Sequence, residues 1–204
     1  GKHHQLQEWL EDVDNPKDEH RHISHLYGLH PGREISEDTP ALFEAAKRTL
    51  EYRLEHGGGH TGWSKAWIMC FYARLKDKKK FDEQMRQFLA NSVDENLWDI
   101  HPPFQIDGNF GMAEAVLEAL ASRRGDVVEL LRIIPKGMET GKVSGLCLEG
   151  RLKVDFAWKC GKLTKIFLSS GKTQTIELRY HGVQRKVALL ENSRVELEGV
   201  EDYE

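Results

Sequence analysis

Gly62-Trp63-Ser64-Lys65-Ala66-Trp67-Ile68-Met69-Cys70-Phe71-Tyr72-Ala73-Arg74-Leu75 is the stretch on which the fold turns. From about Ser64 to Leu75 it predicts a helix that is apolar on most sides, and such a helix is normally surrounded by others. Its neighbours supply them. Upstream, Thr39 and Pro40 suit a helix cap and first turn, where the missing proline N–H costs nothing. Phe43, Ala46, Leu50 and Leu54 then share one stripe, and Gly57 stops it. Downstream, Phe81, Met85, Phe88 and Leu89 mark an amphipathic helix from about Phe81 to Asn91. Another runs from about Asn109 to Ala121 and turns Met112, Ala113, Val116, Leu117 and Leu120 inward. Leu6, Trp9 and Leu10 share one face of a shorter helical signal near the start, and Val127 to Ile134 adds a short apolar segment.

Near residue 135 the pattern changes from helical spacing to short alternating runs. Val143–Leu148, Leu152–Trp158, Leu163–Ser169, Thr173–Tyr180 and Val187–Leu190 are expected strands. Leu152, Val154, Phe156 and Trp158 alternate with Lys153, Asp155 and Ala157, which predicts one buried face. Lys159-Cys160-Gly161-Lys162 and Ser169-Ser170-Gly171-Lys172 carry the glycine of a hairpin turn. The expected class is therefore α+β and multidomain: antiparallel helical hairpins in a toroid or bundle, then a small antiparallel β-sandwich-like module.

Composition narrows the function classes. The chain has 204 residues, 39% of them hydrophobic and 30% charged, as in ordinary globular proteins. A net charge of −4 implies no nucleic-acid or membrane partner, and no stretch reaches the roughly 18 apolar residues that a bilayer span needs. The basic run Lys76-Asp77-Lys78-Lys79-Lys80 falls between two helical patterns and is expected to be a solvated turn. Cys70, Cys147 and Cys160 show no CxxC spacing, so neither a disulfide framework nor a zinc ribbon is indicated. Gly1-Lys2-His3-His4 lacks the apolar core of a signal peptide.

Helical proteins usually keep connections to about 4–6 residues, so three long loops stand out: His20–Arg33, His56–Trp63 and Asn96–Gly111. If hairpins stack into a ring, loops at the same end converge on one cavity. The first holds His20, His22 and His25; zinc would suit imidazoles, but the spacing matches neither HExxH nor a zinc finger. Ligand contact and buried structural histidines are the remaining readings. The second places Trp63 at a helix start, where its ring can stack on the C–H face of a sugar or simply fill the core. The third carries His101, Gln105 and Asp107. A carboxylate at a helix N-terminus tends to stay ionised, as a general base should, and equally serves as a cap.

These loops, His20-Arg21-His22-Ile23-Ser24-His25-Leu26-Tyr27-Gly28-Leu29-His30-Pro31-Gly32, Gly62-Trp63-Ser64-Lys65-Ala66-Trp67 and His101-Pro102-Pro103-Phe104-Gln105-Ile106-Asp107-Gly108-Asn109-Phe110-Gly111, closely resemble glycoside hydrolase family ninety-five. Gln5-Leu6-Gln7-Glu8-Trp9, Gly141-Lys142-Val143-Ser144-Gly145-Leu146 and Trp158…Gly161-Lys162-Leu163 fit in the same order, so the resemblance covers nearly the whole chain. It departs at Leu148-Glu149-Gly150-Arg151-Leu152, where a Gly-Gly-Phe-type turn is common, and this leaves the strand register open.

The resemblance implies hydrolysis of terminal α-1,2-linked L-fucose, with some members accepting L-galactose, on an α/α toroid flanked by β-domains. Residues 1–135 would be the last part of the toroid and residues 136–204 the C-terminal β-domain. The family inverts anomeric configuration, with a Glu as general acid and an Asp assisting a water held by two Asn. That Asp falls on Asp107; the Glu and the Asn pair have no counterpart in this chain. His20, His22, His25, Trp63, His101 and Gln105 become expected walls of the fucose pocket. The partner is a fucosylated oligosaccharide, no metal or other cofactor is implied, and a shortened toroid would favour self-association. Alternatives of another class are a noncatalytic carbohydrate-binding or assembly module and a histidine-based metalloprotein.

Overall fold

The computed structural model describes residues 1–15, 19–101 and 103–198. Pro102, in the third loop, and residues 199–204, at the end of the expected β-domain, lie outside the described residues. The chain divides into two compact units, Gly1–Glu118 and Ala119–Glu204.

In the first unit α1 spans Pro40–Glu55, α2 Gly62–Arg74, α3 Lys78–Asn91 and α4 Asp107–Leu120. The expectation for α2 holds along its length: Ala66, Ile68, Met69, Cys70, Phe71, Tyr72 and Ala73 are all buried. It packs against α3, which contributes Phe81 and Phe88 to the core. A buried ion pair then joins α2 to α4. Arg74 donates from Nε and Nη2 to the two carboxylate oxygens of Glu118, each at 2.6 Å. Taking two charges out of water is costly, and the bidentate geometry offsets much of that cost.

Two local expectations change. The basic run is not a turn, because Lys78, Lys79 and Lys80 form the first turn of α3. Cations are unfavourable at a helix N-terminus. The Asp77 carboxylate compensates by accepting from the Lys80 N–H at 2.9 Å, and Lys78 pairs with Asp82 at 2.8 Å. No helix forms around Leu6, Trp9 and Leu10 either. The Thr49 hydroxyl of α1 accepts the Leu6 N–H at 2.8 Å and pins an irregular segment, leaving Trp9 and Leu10 in solvent.

The second unit starts at Ala119, in the last turn of α4, ahead of the change of character near residue 135. Ala121–Arg124 is strand β1 and Val127–Leu130 strand β2, paired antiparallel. A four- to eight-residue apolar run fits strand or buried helix equally by periodicity, so Val127–Ile134 carried no decisive signal. Six strands follow: β3 Gly141–Leu148, β4 Leu152–Lys159, β5 Lys162–Ser170, β6 Gln174–Tyr180, β7 Val183–Leu189 and β8 Ser193–Glu198. They form two four-stranded sheets, ordered β1-β2-β6-β7 and β3-β4-β5-β8. All pairings are antiparallel except β2 with β6.

Leu152, Val154, Phe156 and Trp158 are buried at alternate positions of β4, as predicted, and Ile176, Leu178 and Tyr180 do the same on β6. Cys160 and Gly161, both at positive φ, make the two-residue turn between β4 and β5. Ser169-Ser170-Gly171-Lys172 is not a hairpin, because β5 and β6 belong to different sheets. The open question of register resolves as Leu148 opposite Leu152 across β3 and β4. Among the described residues no helix is long and apolar enough to cross a membrane.

Candidate functional site

The helical unit gathers most of the predicted side chains at the starts of α2 and α4. Arg53, buried near the end of α1, is the organiser of the His-rich segment. Its Nη2 donates to the carbonyls of His20 and His22 at 3.2 and 3.1 Å, and its Nη1 donates to Glu8 Oε2 at 3.1 Å. With the backbone held from behind, the rings of His20 and His22 stand 4.6 Å apart. His22 in turn meets Trp63 edge-on, with centroids 4.9 Å apart. The aromatic line continues along α2 from Trp63 to Trp67 at 6.1 Å and to Phe71 at 5.2 Å. Trp67 is itself fixed by an Nε1–H donated to the His30 carbonyl at 2.9 Å.

Trp63 is half-buried, so it both packs and presents surface. Burial holds the His22 imidazolium below its usual range, and the neighbouring His20, Arg21 and His101 act in the same direction. That coupling ties the third loop to the first. His101 is half-buried, and neither of its ring nitrogens has a hydrogen-bond partner among the described residues.

Asp107 opens α4 and its side chain is exposed, so the carboxylate faces out from the first turn rather than into packed protein. Gln105 is half-buried and its carbonyl accepts the Gly108 N–H at 3.4 Å, closing the turn that aims Asp107. His25 differs from the others. Its imidazole is almost wholly covered and lies 3.8 Å from Glu8 Oε2, on the side of the Arg53 anchor. Burial lowers its pKa against the opposing pull of Glu8, which favours a neutral structural ring.

Other polar groups here were not singled out from the sequence. Asp99 is 2% exposed, lies beside the starts of α2 and α4, and is within electrostatic range of His101 and Asp107. Asn109 clamps the same loop: its Oδ1 accepts the Asp99 N–H at 3.0 Å and its Nδ2 donates to the Leu97 carbonyl at 2.6 Å. His30, Glu114 and Glu118 offer ligand atoms within 4.8 Å of one another. Glu118 already accepts both Arg74 bonds, which brace α2 against α4, and His30 Nε2 lies 3.7 Å from Glu114 Oε1.

Comparison with known proteins accounts for both units. Residues 1–120 match the glycosyl hydrolase family 95 catalytic domain, and residues 122–203 match the C-terminal domain of the same family. The chain belongs to glycoside hydrolase family 95. It is 34% identical over 198 residues to alpha-L-fucosidase 2 of Arabidopsis thaliana, covering 91% of this chain and 23% of that protein. It is also 34% identical over 176 residues to probable alpha-fucosidase A of Aspergillus niger, covering 76% of this chain and 22% of that protein. Among solved structures, a putative kojibiose phosphorylase from human microbiome aligns with a TM-score of 0.43 at 11% identity, over 85% of this chain and 24% of that one. The family 95 chain described here thus spans less than a quarter of the length of these curated relatives.

Proposed function

We propose that this chain is part of an inverting α-L-fucosidase that releases terminal α-1,2-linked L-fucose, and that it carries the base-side half of the active site. The observation that supports this most is the placement of Asp107: an exposed carboxylate in the first turn of α4, beside a loop whose His101 couples to the His22–Trp63 ring pair. Trp63 offers a face for the apolar side of fucose, while His20, His22, His101 and Gln105 offer polar groups for its hydroxyls.

The chemistry follows from that division. Inverting hydrolysis sets acid and base about 6.5–9.5 Å apart, with a water between the base and the anomeric carbon. Asp107 takes a proton from that water as its oxygen bonds to the anomeric carbon. A general acid outside this chain protonates the departing glycosidic oxygen. General acid–base assistance is worth about 10²–10⁴-fold, so the 204-residue chain by itself should release essentially no fucose from a 2′-fucosylated oligosaccharide.

In the whole enzyme, Asp107→Asn keeps the shape of the turn and removes the base. Its kcat should fall by about 10²-fold or more with the melting temperature within about 1 °C of wild type. Wild-type turnover in that variant would sink the assignment.

A further inference from the structure

Asp99 is the most anomalous side chain of the helical unit. It is 98% removed from solvent by its 2% exposure, and neither carboxylate oxygen has a hydrogen-bond partner among the described residues. Buried polar atoms are nearly always partnered, and an unpartnered carboxylate is among the costlier exceptions. The surroundings are shaped to admit it. A Cβ at Gly62, the first residue of α2, would overlap Asp99 Oδ1, and a Cβ at Gly108, in the first turn of α4, would overlap Asp99 Cγ and Oδ1. Two helices therefore carry a glycine in the first turn where this one carboxyl lies. Burial raises its pKa, Asp107 on α4 acts in the same direction and His101 on the loop opposes them.

A group that costs stability and whose slot is cut from two glycines is better explained by function than by packing. The helices it touches carry Trp63 one residue after Gly62 and Asp107 one residue before Gly108. Its backbone is tied to the same turn through Asn109. We infer that Asp99 is a second carboxyl of the site, a positioning residue that sets the Asp107 turn against the Trp63 turn and acts on the reaction through Asp107. This rests on the base-side reading of Asp107 proposed above.

Asp99→Asn retains the shape and removes the charge. A packing role and a functional role then predict opposite things. In the whole enzyme the variant should melt at or above the wild-type temperature at pH 7, because an unpaired buried carboxylate has been replaced by a neutral group. Its kcat should fall by about 10-fold or more while KM stays within about twofold, as expected when only transition-state geometry is lost. A lower melting temperature, an unchanged kcat, or a rise in KM with kcat retained would each overturn the inference. Asp107→Asn measured alongside separates the two claims. If it is inactive while Asp99→Asn behaves as wild type, only the role of Asp99 falls. If it keeps full turnover while Asp99→Asn loses it, the base assignment falls, and with it the claim that Asp99 acts through Asp107.

Discussion

The two units of the chain bury their apolar residues to different degrees. In the β unit, Leu190 is the only exposed large hydrophobic among the described residues. The helical unit exposes Trp9, Leu10, Trp98, Phe104, Ile106 and Phe110 among others, and Trp98 stacks on Phe104 at 4.8 Å with both rings partly in solvent. The β unit buries alternate residues of strands in both of its sheets, on β4 and on β6. The helical unit has a finished interior around α2 and an unfinished edge along residues 97–110, the same loop that carries His101 and Asp107. Contiguous exposed apolar surface is a common feature of interaction sites.

The sharpest way to break this contrast is a core truncation in the β unit. Phe156→Ala removes a fully buried ring from β4 and should cost about 3–5 kcal/mol. Hydrogen exchange resolved by segment should show the loss across β3, β4, β5 and β8, with α2 and α3 protected as before. Equal loss in both units would mean that they are one cooperative body. A smaller effect is expected from Arg53→Met in the helical unit. It removes the Glu8 pair and both carbonyl contacts to the His-rich segment, and hydrogen bonds to charged groups are worth roughly 1.5–3 kcal/mol. Faster exchange confined to residues 19–23 would confirm the anchor. Unchanged exchange there would show that the segment is held by its ring contacts alone.

Smaller again is the thermodynamic effect of Phe104→Ser, because the ring is 44% exposed and surface changes usually stay within about 0.5 kcal/mol. Its consequence should appear in association instead. Sedimentation of the 204-residue chain should show less self-association in the variant than in wild type. If the two sediment alike, the edge at residues 97–110 is not what draws copies together.

The same contrast explains what was legible in the sequence. Elements whose partners are close in the chain, or whose pattern runs long, could be read directly: α2 from its unbroken apolar run, β4 from strict alternation, the Cys160-Gly161 turn from its glycine. β1 and β2 could not, because a short run such as Val127–Leu130 has no period of its own and becomes a strand by pairing with β1 and, far along the chain, with β6. The candidate site divides in the same way. Asp107, Trp63, His20, His22 and His101 stand in loops too long to be mere connections, so loop length flagged them. Asp99 lies in the same long loop as His101 and Asp107, but between Trp98 and Ile100 no residue type marked it out. Its meaning comes from the space left at Gly62 and Gly108. His25 shows the converse: it matched the pattern of a site histidine, yet its ring faces Glu8.

That placement makes His25 a source of pH dependence, and the sign can be worked out. Burial depresses its pKa in the folded chain, with Arg53 acting alongside and Glu8 and Asp14 opposing. The unfolded chain therefore binds the proton first as pH falls. The stabilising contribution is complete above the ordinary histidine value of about 6.5 and shrinks as pH drops below it toward the depressed folded value. His25→Gln removes this term and leaves every other titrating group in place, including Asp99, whose raised pKa gives a slope of opposite sign. The difference in unfolding free energy between wild type and variant should thus move against the wild type between pH 7 and pH 5. A difference that stays flat, or moves toward the wild type, would mean that His25 is charged where it lies and pairs with Glu8 as an ion, not as a neutral ring packed against it.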